Sequence, residues 1–202
     1  MQYLSALVSS ECAFLFAVVA VALSFTMRGK ADEFGPDVSA RFLETGKSYK
    51  RPKPGQRAGK FQSAAKEASF LRQWVAANAG KSGKPGPALN YANTILMRYD
   101  VVFAFALGLF LLIVTVLTAG KIGFAPPWPW VLAIPAAAYI VSDLGEDIML
   151  ARFLRDRSSI FPDQVALVRK LTLLKLCSIS IAMALAALGA AIAVGQMLAN
   201  IR

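Results

Sequence analysis

There is no histidine anywhere in the 202 residues. That absence removes the usual ligand of haem, chlorophyll-type pigments, copper, zinc and di-iron centres, and the side chain that does most acid–base work near neutral pH. Cysteine is almost as scarce, with two in the chain. Cys12 and Cys177 fall in different apolar stretches, so neither a disulfide nor a CxxC redox pair is expected, and both are read as small core residues. Glycines 29, 35, 46, 55 and 59 make neither a G-x-G-x-x-G nor a P-loop, and no G-x-S-x-G elbow is present. Gly80-Lys81-Ser82 matches only the tail of a Walker A motif. No cofactor is assigned.

What the chain has instead is apolar residues, 56% of the total, against 17% charged. They come in blocks near Phe14 to Phe25, Val101 to Leu117, Val131 to Val141 and Leu176 to Leu198, while residues 28 to 98 hold most of the charge. Apolar runs of ~20 residues match the ~30 Å hydrocarbon core when helical. The reading is an all-α integral membrane protein with four transmembrane helices and a long basic cytoplasmic loop containing a short amphipathic helix. Its parts are a first span over 1–27, the loop over 28–99, and a three-helix region over 100–202, with spans at about 100–118, 128–150 and 176–198. The first stretch lacks a basic n-region, carries Glu11 and has no A-x-A-like site before Arg28, so a retained helix is expected rather than a cleaved signal.

The net charge of +10 points to topology and anionic lipid rather than nucleic acid, because the basic residues sit in loops beside the spans. Residues 28 to 98 contain 14 Lys and Arg against five Asp and Glu. The middle of that loop, residues 48 to 57, is basic and rich in turn formers. Phe61, Ala64, Ala65, Ala68, Leu71, Trp74 and Val75 then fall at helical spacing, predicting the amphipathic helix near 61–78. Arg152, Arg155, Arg157, Arg169, Lys170 and Lys175 lie between the third and fourth spans, and Lys121 alone between the second and third. Loops 28–99 and 151–175 are therefore expected in the cytoplasm and both termini outside, as in a bacterial inner membrane. Trp128 and Trp130 mark the outer interface, and Trp74 suits an interface as well.

The residues of most chemical interest are Asp143, Glu146 and Asp147. Counting ~1.5 Å per residue from Trp128 puts Asp143 ~22 Å deep, where a lone carboxylate costs a few kcal/mol unless paired, hydrated or protonated. The i, i+3, i+4 spacing sets all three on one side of a helix, and Gly145 should admit a close backbone. Three roles fit: an ion-pair network with Arg98, Arg152 and Lys175; an ion or proton site; or a divalent cation holding a phosphate substrate. Glu11 is a second intramembrane acid, at a different depth, with Lys121 or Arg202 as its expected counter-charge.

The last span carries two rows of small residues at four-residue spacing, Ala182, Ala186 and Ala190, and Ala187, Ala191 and Gly195, which favour close helix packing. The leading functional expectation is a non-enzymatic accessory or assembly subunit of a larger membrane complex, contacting other membrane-protein subunits through the basic loop and these helices. The alternatives are a small ion- or proton-coupled transporter or channel using the acidic cluster, and a metal-dependent enzyme acting on a phosphate-bearing or lipid substrate at the inner face.

Overall fold

The computed structural model describes residues 9–33, 64–78, 80 and 86–199, and every regular element among them is helical. The loop centre at 48–57, Phe61, Lys84, Arg202 and the Arg28 side chain lie outside the described residues.

Helix α1 (Ser10–Glu33) starts where Ser9 Oγ accepts a hydrogen bond from the Cys12 amide at 3.2 Å, satisfying one of the orphan donors of the first turn. It runs six residues past the expected boundary at Met27, because one glycine between Arg28 and Lys30 does not break a helix that also has a lysine in its last turn. Helix α2 (Ala64–Ala77) is the amphipathic helix, with Ala68 and Val75 buried. Helix α3 (Pro87–Tyr91) opens on a proline, which loses nothing at a position whose N–H is unbonded anyway. It passes through a π-helical segment, Ala92–Asp100, into α4 (Val101–Lys121). The second apolar helix thus begins at Pro87 rather than near Asp100. Asn90, Asn93 and Arg98 disguised this in the sequence, but Tyr91, Ala92, Ile95 and Leu96 form a buried face.

Gly123 ends α4 with φ +93°, and the Phe124 amide bonds back to Ala119 O at 3.1 Å, a glycine C-terminal motif that a side chain would strain. The expected third helix is two pieces, α5 (Trp128–Leu132) and α6 (Ile134–Arg155). Pro135 has no N–H to give Val131 O, so the helix breaks at Ala133. Asp156 then caps a 3-10 turn, Arg157–Ser159, accepting from the Ser158 amide at 2.8 Å. Helix α7 (Pro162–Ala199) has 38 residues, ~57 Å at 1.5 Å each. Most of the segment expected as a polar connection before residue 176 is therefore its first turns.

The chain divides into two compact units. One comprises Met1–Ser24, Val102–Asp143 and Leu173–Arg202. Its core joins Leu111, Ala136, Ala182 and Ala186, flanked by Leu107, Phe110 and Ile179. Two glycines set the helix spacing there. A Cβ on Gly108 would collide with the Ile140 side chain, and one on Gly189 would lie 2.5 Å from Thr118 Oγ1 and 3.0 Å from Thr118 Cβ.

The other unit comprises Phe25–Val101 and Leu144–Thr172. In it α2 packs on the 3-10 turn. Glu67 forms an ion pair with Arg169, and Arg72 Nε donates to Ile160 O at 2.7 Å. Arg155 donates to Asn93 Oδ1 through Nε and Nη2, at 3.1 and 2.8 Å, tying the end of α6 to the π-helical segment. The amphipathic face of α2 is thus used inside the chain.

Which residues are inside and which outside carries the membrane argument. Phe14, Leu15, Val18, Val21, Val102, Phe105, Ile134, Val141, Leu174, Ile181 and Leu188 are exposed, while Ser142, Asp143, Glu146, Asp147, Thr115, Thr172 and Ser178 are buried. Water would penalise that arrangement, because large apolar patches seek cover; hydrocarbon rewards it. Three helical stretches, Ser10–Ala31, Pro87–Lys121 and Pro162–Ala199, are long and apolar enough to cross a membrane. Helix α6 carries Asp143, Glu146, Asp147, Arg152 and Arg155 and does not pass on apolarity.

Substituting Gly189 by alanine should destabilise the protein by about 1–3 kcal/mol through overpacking, because the Thr118 hydroxyl is pinned to Val114 O at 2.8 Å. Gly195→Ala, where nothing lies within 4 Å, should be neutral or slightly stabilising. Thermal unfolding in detergent micelles measures both.

Candidate functional site

Helix α6 places Asp143, Glu146 and Asp147 on its buried side, with exposures of 1%, 1% and 2%. Successive i+3 and i+4 steps keep them on one stripe, as the sequence spacing predicts. Their surroundings differ.

Asp143 forms an ion pair with Lys175, whose side chain is 25% exposed. The carboxylate is thus buried, and the partly exposed lysine brings its ammonium in to it on a flexible stem. Asp143 Oδ2 accepts no hydrogen bond among the described residues. The adjacent Ser142 hydroxyl does not serve it, being spent on the backbone at Ala138 O (2.7 Å) and Tyr139 O (3.0 Å).

Glu146 is held through Oε1 by the Thr172 hydroxyl at 2.6 Å. That hydroxyl also lies 3.0 Å from Val168 O, but it has one proton, and the contact to Glu146 is the shorter. Asp147, together with Asp100, lies close enough to the fully buried Tyr91 to act on its hydroxyl electrostatically.

Of the three cations expected to pair with the cluster, Lys175 meets Asp143. Arg98 and Arg152 are exposed, where water solvates a guanidinium better than a buried partner would. Gly145 does not admit a backbone; a Cβ there would meet only the Leu171 side chain at 3.4 Å. Among the described residues no three histidine, cysteine or carboxylate side chains group to hold a metal ion.

The other singled-out residues separate similarly. Glu11 is exposed in the first turn of α1, where the positive end of the helix dipole favours an acid without any snorkelling lysine. Lys121 is exposed at the end of α4. Trp128 and Trp130 are exposed and Trp74 is half-buried. Ala182 and Ala186 are buried in the core, Ala190 is half-buried, and Ala187, Ala191 and Gly195 are exposed. One small-residue row is therefore used within the chain and the other faces out. Cys12 is half-buried and Cys177 exposed, so neither is the small core residue expected from its apolar stretch.

Sequence reasoning missed Thr172 and Tyr91. Thr172 had a usable signal, since it precedes Lys175 by three residues and so shares its face of α7. Tyr91 had none, being hidden in a stretch read as loop.

Replacing Lys175 by methionine leaves a buried carboxylate without its cation and should cost about 3–5 kcal/mol, whereas the double variant with Asp143→Asn should recover much of the loss. Thermal unfolding in micelles across the four-protein cycle reads this coupling; additive effects would contradict it. Asp156 gives a pH prediction. The hydroxyl and then the amide of Ser158 donate to its carboxyl and hold it below the ordinary carboxylate range. The turn is accordingly stabilised above that range and loses this support as pH falls through the lowered value. An NMR titration of Asp156 in Ser158→Ala should show the transition displaced upward.

Comparison of the chain with protein-family models, with curated proteins and with solved structures finds no match.

Proposed function

We propose that this is a small ion- or proton-coupled membrane protein in which Asp143 is the exchanging group and Lys175 its resident counter-cation. The observation that carries the reading is a carboxylate 1% exposed, ion-paired to a single lysine, with a second oxygen to which no described group donates. Such a pair is a poor device for stability, because removing two charges from water takes back most of what their attraction supplies. It is a good device for exchange. A proton or small cation arriving at Asp143 competes with Lys175 for the same charge, and the flexible lysine stem leaves without unfolding a helix.

In this reading the chain crosses the bilayer four times, α6 included, with residues 28–99 and 151–175 in the cytoplasm and both termini outside, in a bacterial inner membrane. The excess of Lys and Arg on those segments supports that orientation. Helix α6 tolerates its acids because they face protein rather than lipid.

A second reading, the accessory subunit, keeps one specific support: Ala187, Ala191 and Gly195 form an exposed row on α7 of the kind that receives a partner helix. Its other supports are weaker, since the amphipathic face of α2 and the Ala182–Ala186 row are occupied inside the chain. Gentle solubilisation separates the two, as a subunit should copurify with a stable partner and a transporter need not. The metal-dependent reading has no grouping of ligands among the described residues to stand on.

Reconstituted vesicles provide the test. With an imposed pH or cation gradient, the wild-type protein should carry flux that Asp143→Asn abolishes while its unfolding temperature and elution profile stay near wild type. Wild-type vesicles no leakier than empty ones, or undiminished flux through Asp143→Asn, would overturn the proposal.

A further inference from the structure

Where α2 meets the 3-10 turn lies an open groove of about 490 Å³ lined by Arg72, Gln73, Ala76, Arg157, Ser158 and Phe161. Neither arginine is paired with an acid among the described residues, although other cations of the same unit are engaged: Arg169 by Glu67 and Arg155 by Asn93. Arg72 is also pre-set. Its Nε is fixed on Ile160 O at 2.7 Å and its guanidinium lies 5.7 Å over the Phe161 ring, so less freedom remains to be lost when its outer N–H groups meet a ligand. Asp156, the nearby acid, has both oxygens occupied by Ser158 at 2.7 Å.

We infer that this groove binds a soluble phosphate-bearing small molecule, with Arg72 and Arg157 sharing the phosphate and Phe161 and Ala76 lying against its apolar part. Guanidinium forks match phosphoryl oxygens in geometry as well as charge. A lipid headgroup is the competing source of the same chemistry, and the vesicle arm of the titration distinguishes it. The chain's own segment 34–63 has the wrong sign to fill the groove, with seven Lys and Arg against two Asp and Glu. The assignment does not depend on the role of Asp143.

Calorimetric titration of the full-length protein in micelles with inorganic pyrophosphate tests it. One saturable site is expected, weakened about tenfold or more in Arg157→Gln and in Arg72→Gln, the loss of a charged hydrogen bond, and within twofold of wild type in Lys170→Gln, a nearby exposed cation outside the groove. Arg157→Gln carries the decision, since that side chain holds no described group in place and the fold is not at stake. No saturable heat, equal weakening by Lys170→Gln, or saturable binding confined to phosphatidylglycerol vesicles or to polyglutamate would each overturn the assignment.

Discussion

Three carboxylates on one stripe of one helix are the constraint around which the rest is arranged. Charges of that kind tolerate neither hydrocarbon nor a dry, unpaired interior, so α6 must turn its acidic side to protein and its apolar side outward. Val141 and Ile148, exposed on the same helix, are the other half of that requirement. Helix α7 answers with Thr172 and Lys175 on one face. Elsewhere the interior is small: Gly108, Gly189, Ala136, Ala182 and Ala186 let helices approach where lipid offers no hydrophobic drive for association.

The amphipathic helix and the basic turn belong to a different regime. There ion pairs are partly exposed, the Glu67–Arg169 pair having both side chains about a quarter exposed, and each is worth little by itself. What holds that unit is burial of Ile160, Phe153, Leu154, Val165 and Tyr91, with Arg72 and Arg155 supplying registration through backbone and amide contacts. In that unit Arg72 and Arg157 pair with no acid among the described residues, whereas the Asp143–Lys175 pair joins α6 to α7.

Much of this was legible in the sequence. Apolar blocks gave the three helices of spanning length, the 3, 4 spacing of Asp143, Glu146 and Asp147 gave the shared face, and Lys175 stands among the expected partners. Boundaries were not legible, for identifiable reasons. Asn90, Asn93 and Arg98 look like loop until Tyr91, Ile95 and Leu96 are seen to form one buried face. Pro135 breaks a helix that hydropathy treats as continuous. Arg98 and Arg152 are expected at the same membrane face as the acids but are exposed, where water outcompetes a buried partner. The groove combines residues 72–76 with 157–161, and its two arginines reveal themselves only when α2 is seen packed on the turn.

The claim beneath the rest is that α6 crosses the bilayer with its acids covered, although its charge excludes it by apolarity alone. In a background lacking Cys12 and Cys177, single cysteines at positions 128 and 157 can be labelled with a membrane-impermeant maleimide in sealed, oriented vesicles. The account predicts that position 128 reacts from one side only and position 157 from the other. Reaction of both positions from the same side would mean that α6 does not cross, and the buried carboxylate pair would have no membrane to act across.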